Sequence, residues 1–216
     1  MTATVLVVAK AAVPGLAKTR LIPAYGVAGA ARLAAAALLD TLAAATAVAD
    51  CRCVVAVTGD LEKSQRRGDI LAALRRCTVI AQVPGGFGTR LAAAHLAAAP
   101  GTVLQIGMDT PQVTPDLLAA CLHRLAAVDA ALGPADDGGW WALGLHDGIG
   151  AHVLPAVPMS AAHTGVATRR ALAACGLDVA DLPALRDVDV PADVVPVAQT
   201  CRVDGEFARA VRELTA

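Results

Sequence analysis

The chain has 216 residues and a formal net charge of −1, with 56% hydrophobic but only 2% aromatic residues. That length suffices for one well-buried α/β core and is short for two full domains, so a single domain spanning 1–216 is expected. A near-neutral chain with so few aromatic rings offers polyanions no overall attraction and bases little to stack on, which argues against nucleic acid as the main partner.

The first regular element is a β-branched run, Thr4–Ala9, which reads as a fully buried strand. Val27–Val48 follows as a helix built almost entirely from strong helix formers. Cys53–Thr58 is a second strand, Leu61–Arg76 a helix with a charged outer face, and Thr78–Gln82 a third strand. A glycine-rich loop leads into a helix over 88–98, then Thr102–Gly107 forms a fourth strand. Thr114-Pro115 has the N-cap and first-turn proline of another helix. After Ala130–Gly133 the alternation changes. Asp136-Asp137-Gly138-Gly139 signals a turn and Trp140–Leu145 a strand, expected as an antiparallel element near the sheet edge. Residues 146–160 look irregular, 162–175 helical, and 192–214 close the chain with helical pieces. Such alternation implies an α/β fold, a mostly parallel sheet with helices on both faces, whose ligands bind beyond the carboxyl ends of the strands.

The longest uncharged stretches, 91–108 and 148–168, are interrupted by Pro100-Gly101 and by Pro155 and Pro158, so neither reads as a clean membrane helix. Met1-Thr2-Ala3-Thr4 has no basic region ahead of Val5–Val8, unlike a signal peptide, and a cytoplasmic protein without a membrane partner is expected. The six cysteines are scattered; only Cys51 and Cys53 are close, and buried structural thiols are the simplest reading.

Chemistry-bearing residues cluster after the strands. Lys10-Ala-Ala-Val-Pro-Gly15-Leu-Ala-Lys18-Thr-Arg20-Leu21 puts three cations and a Pro-Gly turn at a strand's carboxyl end, where backbone N–H groups and cations can meet an anion. A solvated basic loop is the alternative. Gln82-Val-Pro-Gly85-Gly86-Phe-Gly88-Thr-Arg90 adds a second cationic loop whose glycines permit close backbone approach, or serve only as a tight connection. Asp109, in Gly107-Met-Asp-Thr-Pro111, is placed either to ligate Mg²⁺ or Mn²⁺ or to cap the next helix. Asp136-Asp137 and Asp187-Val-Asp189 supply further carboxylates, for a metal site or an acceptor hydroxyl; Asp136 and Asp193 suit ordinary turn roles better.

Five blocks occur in one order: Lys10–Leu21, Gln82–Arg90, Gly107–Pro111, Gly133–Trp141 and Arg186–Pro191. Together they resemble the small bacterial GT-A-fold proteins termed glycosyltransferase-like (the DUF2064 type, in the nucleotide-diphospho-sugar transferase superfamily). More distantly they resemble the guanylyltransferases of the 2-phospholactate and molybdenum-cofactor type. The resemblance implies a metal-binding Asp109 with Asp189 as second ligand, Lys10, Lys18 and Arg20 on phosphates, and Asp137 toward the second substrate. Gly15, Gln82, Gly85, Gly88 and Arg90 would complete the nucleotide site. The chain departs from the family pattern at Ala12, Gly86 and Val190, where Pro, Asp and Thr are usual.

Two transferase chemistries suit this architecture. Nucleotidyl transfer from a nucleoside triphosphate places charge on the leaving pyrophosphate, which Lys18, Arg20 and a metal on Asp109 would stabilise. Glycosyl transfer from an NDP-sugar needs fewer cations in the first loop, so the Lys-Thr-Arg run favours the former. A small-molecule acceptor is expected in both. A nucleotide-binding module without chemistry is the third reading.

Overall fold

A computed structural model of the chain describes residues 3–215. Met1, Thr2 and Ala216, and with them the ends of the expected 1–216 domain and the start of the amino-terminal segment, lie outside the described residues.

Seven strands form one sheet: β1 (Ala3–Lys10), β2 (Cys51–Thr58), β3 (Thr78–Ala81), β4 (Thr102–Gly107), β5 (Ala130–Pro134), β6 (Trp140–His146) and β7 (Val179–Asp181), in the order β3-β2-β1-β4-β6-β5-β7. β1 to β4 pair in parallel, β6 is antiparallel to both of its neighbours, and β5 pairs in parallel with β7. The antiparallel strand thus lies inside the sheet, not near its edge. The Asp136–Gly139 turn reverses the chain so that β6 inserts between β4 and β5. Its central residues, Trp141 to Leu145, are buried on both faces, as an interior strand requires. β5 was hidden in the sequence by its Ala-rich composition. Gly133 is required there, since a Cβ would meet the Trp141 indole at 2.6 Å.

The helices are α1 (Ile22–Thr46), α2 (Arg67–Leu74), α3 (Phe87–Ala98), α4 (Pro115–Leu125), α5 (Thr164–Ala174), α6 (Pro191–Thr200) and α7 (Glu206–Thr215). The expected 61–76 helix is two pieces. The Asp60 carboxylate accepts from the Glu62 N–H to cap a short 3-10 turn, and Arg66 adopts a left-handed conformation before α2 begins. Leu38, Leu42, Ile70 and Leu118 pack on one face of the sheet. On the other, Leu91, Leu154 and Leu172 cover Leu6, Leu143 and Leu145.

Phe207 and Val211 of α7, with Val194 and Val197 of α6, pack on the far side of α1 against Leu33. α1 is therefore covered on two sides, which explains a helix apolar almost all round. Thr19–Thr46 is long and apolar enough to cross a membrane, yet 72% of its most apolar window is buried within the protein's own core. Asp40 of α1 holds the layers together by accepting hydrogen bonds from the Glu206 and Phe207 N–H groups at the start of α7.

Candidate functional site

A cavity of about 540 Å³ opens at the carboxyl ends of β1 and β4, where the strand pattern placed it. Lys10, Lys18, Arg20, Gln82, Arg90, Asp109, Asp137 and Asp189 all line it. Gly15, Gly85 and Gly88 do not line it.

The loop after β1 is fixed from several directions. Ala11 donates its N–H to Thr58 O, and Ala12 O accepts from the Gln65 N–H. Lys10 Nζ reaches back across the Pro14-Gly15 turn to Leu16 O at 2.6 Å; Gly15 is needed at φ 78°. Lys18 is held left-handed, at φ 46°, an unfavourable conformation for a side chain with a Cβ. That bend brings its ammonium to 3.0 Å from Asp109 and 3.9 Å from Asp189. Arg20 pairs with the other oxygen of Asp189. Two of the three cations expected on phosphates, Lys18 and Arg20, are thus joined to the two expected metal ligands in one network.

Asp109 follows β4 directly. Its carbonyl accepts from the Val188 N–H at 2.9 Å, which draws the 185–189 segment across the mouth of the sheet. Val188 is 1% exposed, so in this extended segment Asp187 and Asp189, two residues apart, turn together toward the cavity. Asp193 caps the next helix by accepting from the Asp189 and Val190 N–H groups, and Asp136 pairs with Arg186. Asp193 thus plays an ordinary local role, whereas the Asp136 carboxylate pairs across the fold and not within its turn.

Asp187, offered with Asp189 as a carboxylate for a metal site or an acceptor hydroxyl, also lines the cavity. Burial pushes its carboxyl up to about 6, the negative charges of Asp137 and Asp109 add to this, and Lys18 opposes it. Four carboxylates share the cavity wall with Lys10, Lys18, Arg20 and Arg90, so opposite charges are balanced there, and hard oxygen donors of this kind suit Mg²⁺ or Mn²⁺. Among the described residues no three metal-ligating side chains converge into a closed cage. A pair of carboxylates completed by substrate oxygens is the arrangement that fits Mg²⁺ best.

Gln82 spends its amide on the fold, donating to Ala9 O and Ala56 O at 2.9 Å each, while its oxygen accepts from Arg90 at 3.0 Å. Arg90 then lies over the Phe87 ring, 5.1 Å from its centre. Gly88 has a packing reason: a Cβ there would run into the Leu154 carbonyl.

Asp137 occupies the β5–β6 turn, with Oδ1 accepting from the Gly139 N–H at 2.8 Å. Gly138 and Gly139 lie against the start of α5, so that a Cβ at Gly138 would strike Ala162 O, and Gly138 O accepts from the Gly165 N–H. This close fit brings Ser160–Ala162 and Thr164 to the cavity wall. Gln105, from the middle of β4, also borders the cavity. It is fully buried beside His95, and among the described residues neither polar atom of its amide makes a hydrogen bond of ordinary geometry. Being polar in the middle of an apolar strand is the one signal the sequence held for it.

The nearby solved structures share the whole fold. A protein from Desulfovibrio desulfuricans G20, provisionally named a nucleotide-diphospho-sugar transferase, is 26% identical and superposes with a TM-score of 0.86, covering 98% of this chain and 94% of that one. The 2-C-methyl-D-erythritol 4-phosphate cytidylyltransferase of Thermus thermophilus is 16% identical with a TM-score of 0.55, over 93% of this chain and 99% of that one. A Mycobacterium tuberculosis H37Rv protein solved as a manganese complex is 16% identical with a TM-score of 0.54, over 91% and 98%. No curated protein matches the sequence. Residues 41–161 match the family model described as uncharacterized protein conserved in bacteria (DUF2064), and the chain belongs to that family.

Proposed function

We propose that the chain is one transferase domain that uses a nucleotide with Mg²⁺ or Mn²⁺, taking a nucleoside triphosphate as donor, passing the nucleotidyl group to a small-molecule acceptor and releasing pyrophosphate. The observation that carries this reading is the Lys18 ammonium meeting both Asp109 and Asp189 inside the strand-end cavity. Asp109 and Asp189 would hold the divalent cation, which when bound supplies positive charge to the phosphate oxygens. Lys10, Lys18 and Arg20 orient the triphosphate and stabilise the charge that grows on the leaving pyrophosphate. Arg90, aimed by Gln82, contacts the rest of the nucleotide. Asp137, fixed by its own turn, holds the acceptor hydroxyl.

A second reading, glycosyl transfer from an NDP-sugar, is favoured by the name of the 26% identical relative. Thermal melts with nucleoside triphosphates and NDP-sugars, each with and without Mg²⁺ or Mn²⁺, separate the two. Ligand at about 100 Kd adds roughly 2.7 kcal/mol of stability. A metal-dependent shift with a triphosphate is expected; a shift with NDP-sugars alone makes the donor a nucleotide sugar. If no nucleotide shifts the melt, the reading fails. A shift without turnover, unchanged in Asp109→Asn, indicates a binding module.

A further inference from the structure

β2 and β3 run in parallel with Val54 opposite Thr78, and the preceding step sets Cys53 beside Cys77. Both are free thiols, with sulfurs 3.4 Å apart. Cys53 is buried and Cys77 half-buried, so one sulfur is reachable from solvent and the other waits behind it. Neighbouring strands are spaced within the range a disulfide spans, and the sulfurs are already 3.4 Å apart. The two sulfurs are unequal. Their shared hydrogen bond, helped by the Arg76 charge and opposed by burial, holds the Cys77 thiol below its ordinary value. The same bond, with burial, pushes Cys53 far up. Cys121 and Cys201 are buried without a cysteine partner, and Cys175 is exposed beside His152.

We propose that Cys77 and Cys53 are a redox-modification site that closes to a reversible disulfide under a small peroxide. The Cys77 thiolate sulfur attacks one peroxide oxygen and the O–O bond breaks, giving the sulfenic acid and hydroxide. The Cys53 sulfur then attacks the Cys77 sulfur, the S–O bond breaks, and the departing oxygen leaves as hydroxide. Protons from the two thiols convert both hydroxides to water. Two thiols and one hydrogen peroxide thus give one disulfide and two waters, with two electrons passing from sulfur to oxygen.

The bond would fasten the start of β3, a short and mostly exposed edge strand. Just past its far end stands Gln82, which aims Arg90 at the cavity. The cross-link also closes the 53–77 loop, restricting the unfolded chain.

The test treats the reduced full chain with stoichiometric hydrogen peroxide. Thiols counted after denaturation should fall from the six of the sequence by one pair, with an intact-mass loss of about 2 Da. A non-reduced digest should join the Cys53 and Cys77 peptides, and dithiothreitol should restore both thiols. The oxidised chain should melt several degrees higher. Cys77→Ser and Cys53→Ser should abolish the pair loss; Cys51→Ser and Cys175→Ser should keep it. Peptide mapping of the wild type needs no variant to fold. A link through any other cysteine, a linked dimer, addition of oxygen without a cross-link, or a lower melt on oxidation would overturn the proposal.

Discussion

Lys18 Nζ stands 3.0 Å from one Asp109 oxygen and 3.9 Å from one of Asp189, so a single ammonium answers two acids that are distant in the chain. Removing it should do two things at once. Triphosphates lose a phosphate contact, and the two carboxylates lose the charge between them.

Lys18→Ala should lower kcat/KM for a triphosphate by about 10²–10³, the usual cost of one transition-state donor. NDP-sugar turnover should fall less than about tenfold. Asp109→Asn should remove the metal dependence of the ligand-induced melting shift altogether. Equal losses for both donor classes in Lys18→Ala would mean that the loop after β1 does not read the triphosphate.

Gln82 links three partners: the ends of β1 and β2 through Ala9 O and Ala56 O, and the Arg90 guanidinium. Gln82→Leu leaves all three without that bond, at a cost of about 1–3 kcal/mol of stability in urea melts. Nucleotide affinity should fall as well, although Gln82 already spends its amide on the protein. In a double-mutant cycle, Gln82→Leu and Arg90→Ala should be clearly less than additive for nucleotide Kd. Additive losses would show that Gln82 acts on the nucleotide independently of Arg90.

The site was legible in the sequence where it follows strands rich in β-branched residues. β1 and β4 announce themselves by composition, so Lys10 and Asp109 fall on the ligand edge by the strand-end rule. Asp187 and Asp189 were legible together as spare carboxylates, but nothing in the sequence said that both face the cavity. That follows from Val188 being buried, with its N–H bonded to Asp109 O. The interior position of β6 was also out of reach, because pairing partners depend on where the Ala-rich β5 lies, and β5 carries almost no strand signal of its own.

Gly88 separates packing from ligand approach. The residue is buried under Leu154 of the 151–156 turn, and an added methyl would collide with a backbone carbonyl that cannot swing away as a side chain could. Gly88→Ala should cost about 2 kcal/mol or more in urea melts of the ligand-free chain. A variant as stable as wild type that has lost nucleotide affinity would instead place Gly88 at the ligand.

His95 supplies the pH dependence. Its side chain is shut off from solvent, at 0% exposed, and among the described residues neither ring nitrogen makes a hydrogen bond of ordinary geometry, although the Gln105 amide lies beside it. Burial pulls its pKa from an ordinary 6.5 down to about 4, and the Gln105 amide beside it opposes the shift. Above 6.5 the imidazole is neutral folded or unfolded and contributes nothing to the pH slope. Between 6.5 and 4 the unfolded chain takes up a proton that the folded chain refuses, so stability falls with pH across that window. Once the pH is below both values the loss approaches about 3 kcal/mol. Urea melts of wild type and His95→Leu at several pH values between about 7.5 and 4 isolate this contribution, because the carboxylates common to both chains cancel. The gap should move in favour of His95→Leu as acid is added; parallel curves would mean that His95 finds a hydrogen-bond partner and charges inside the fold.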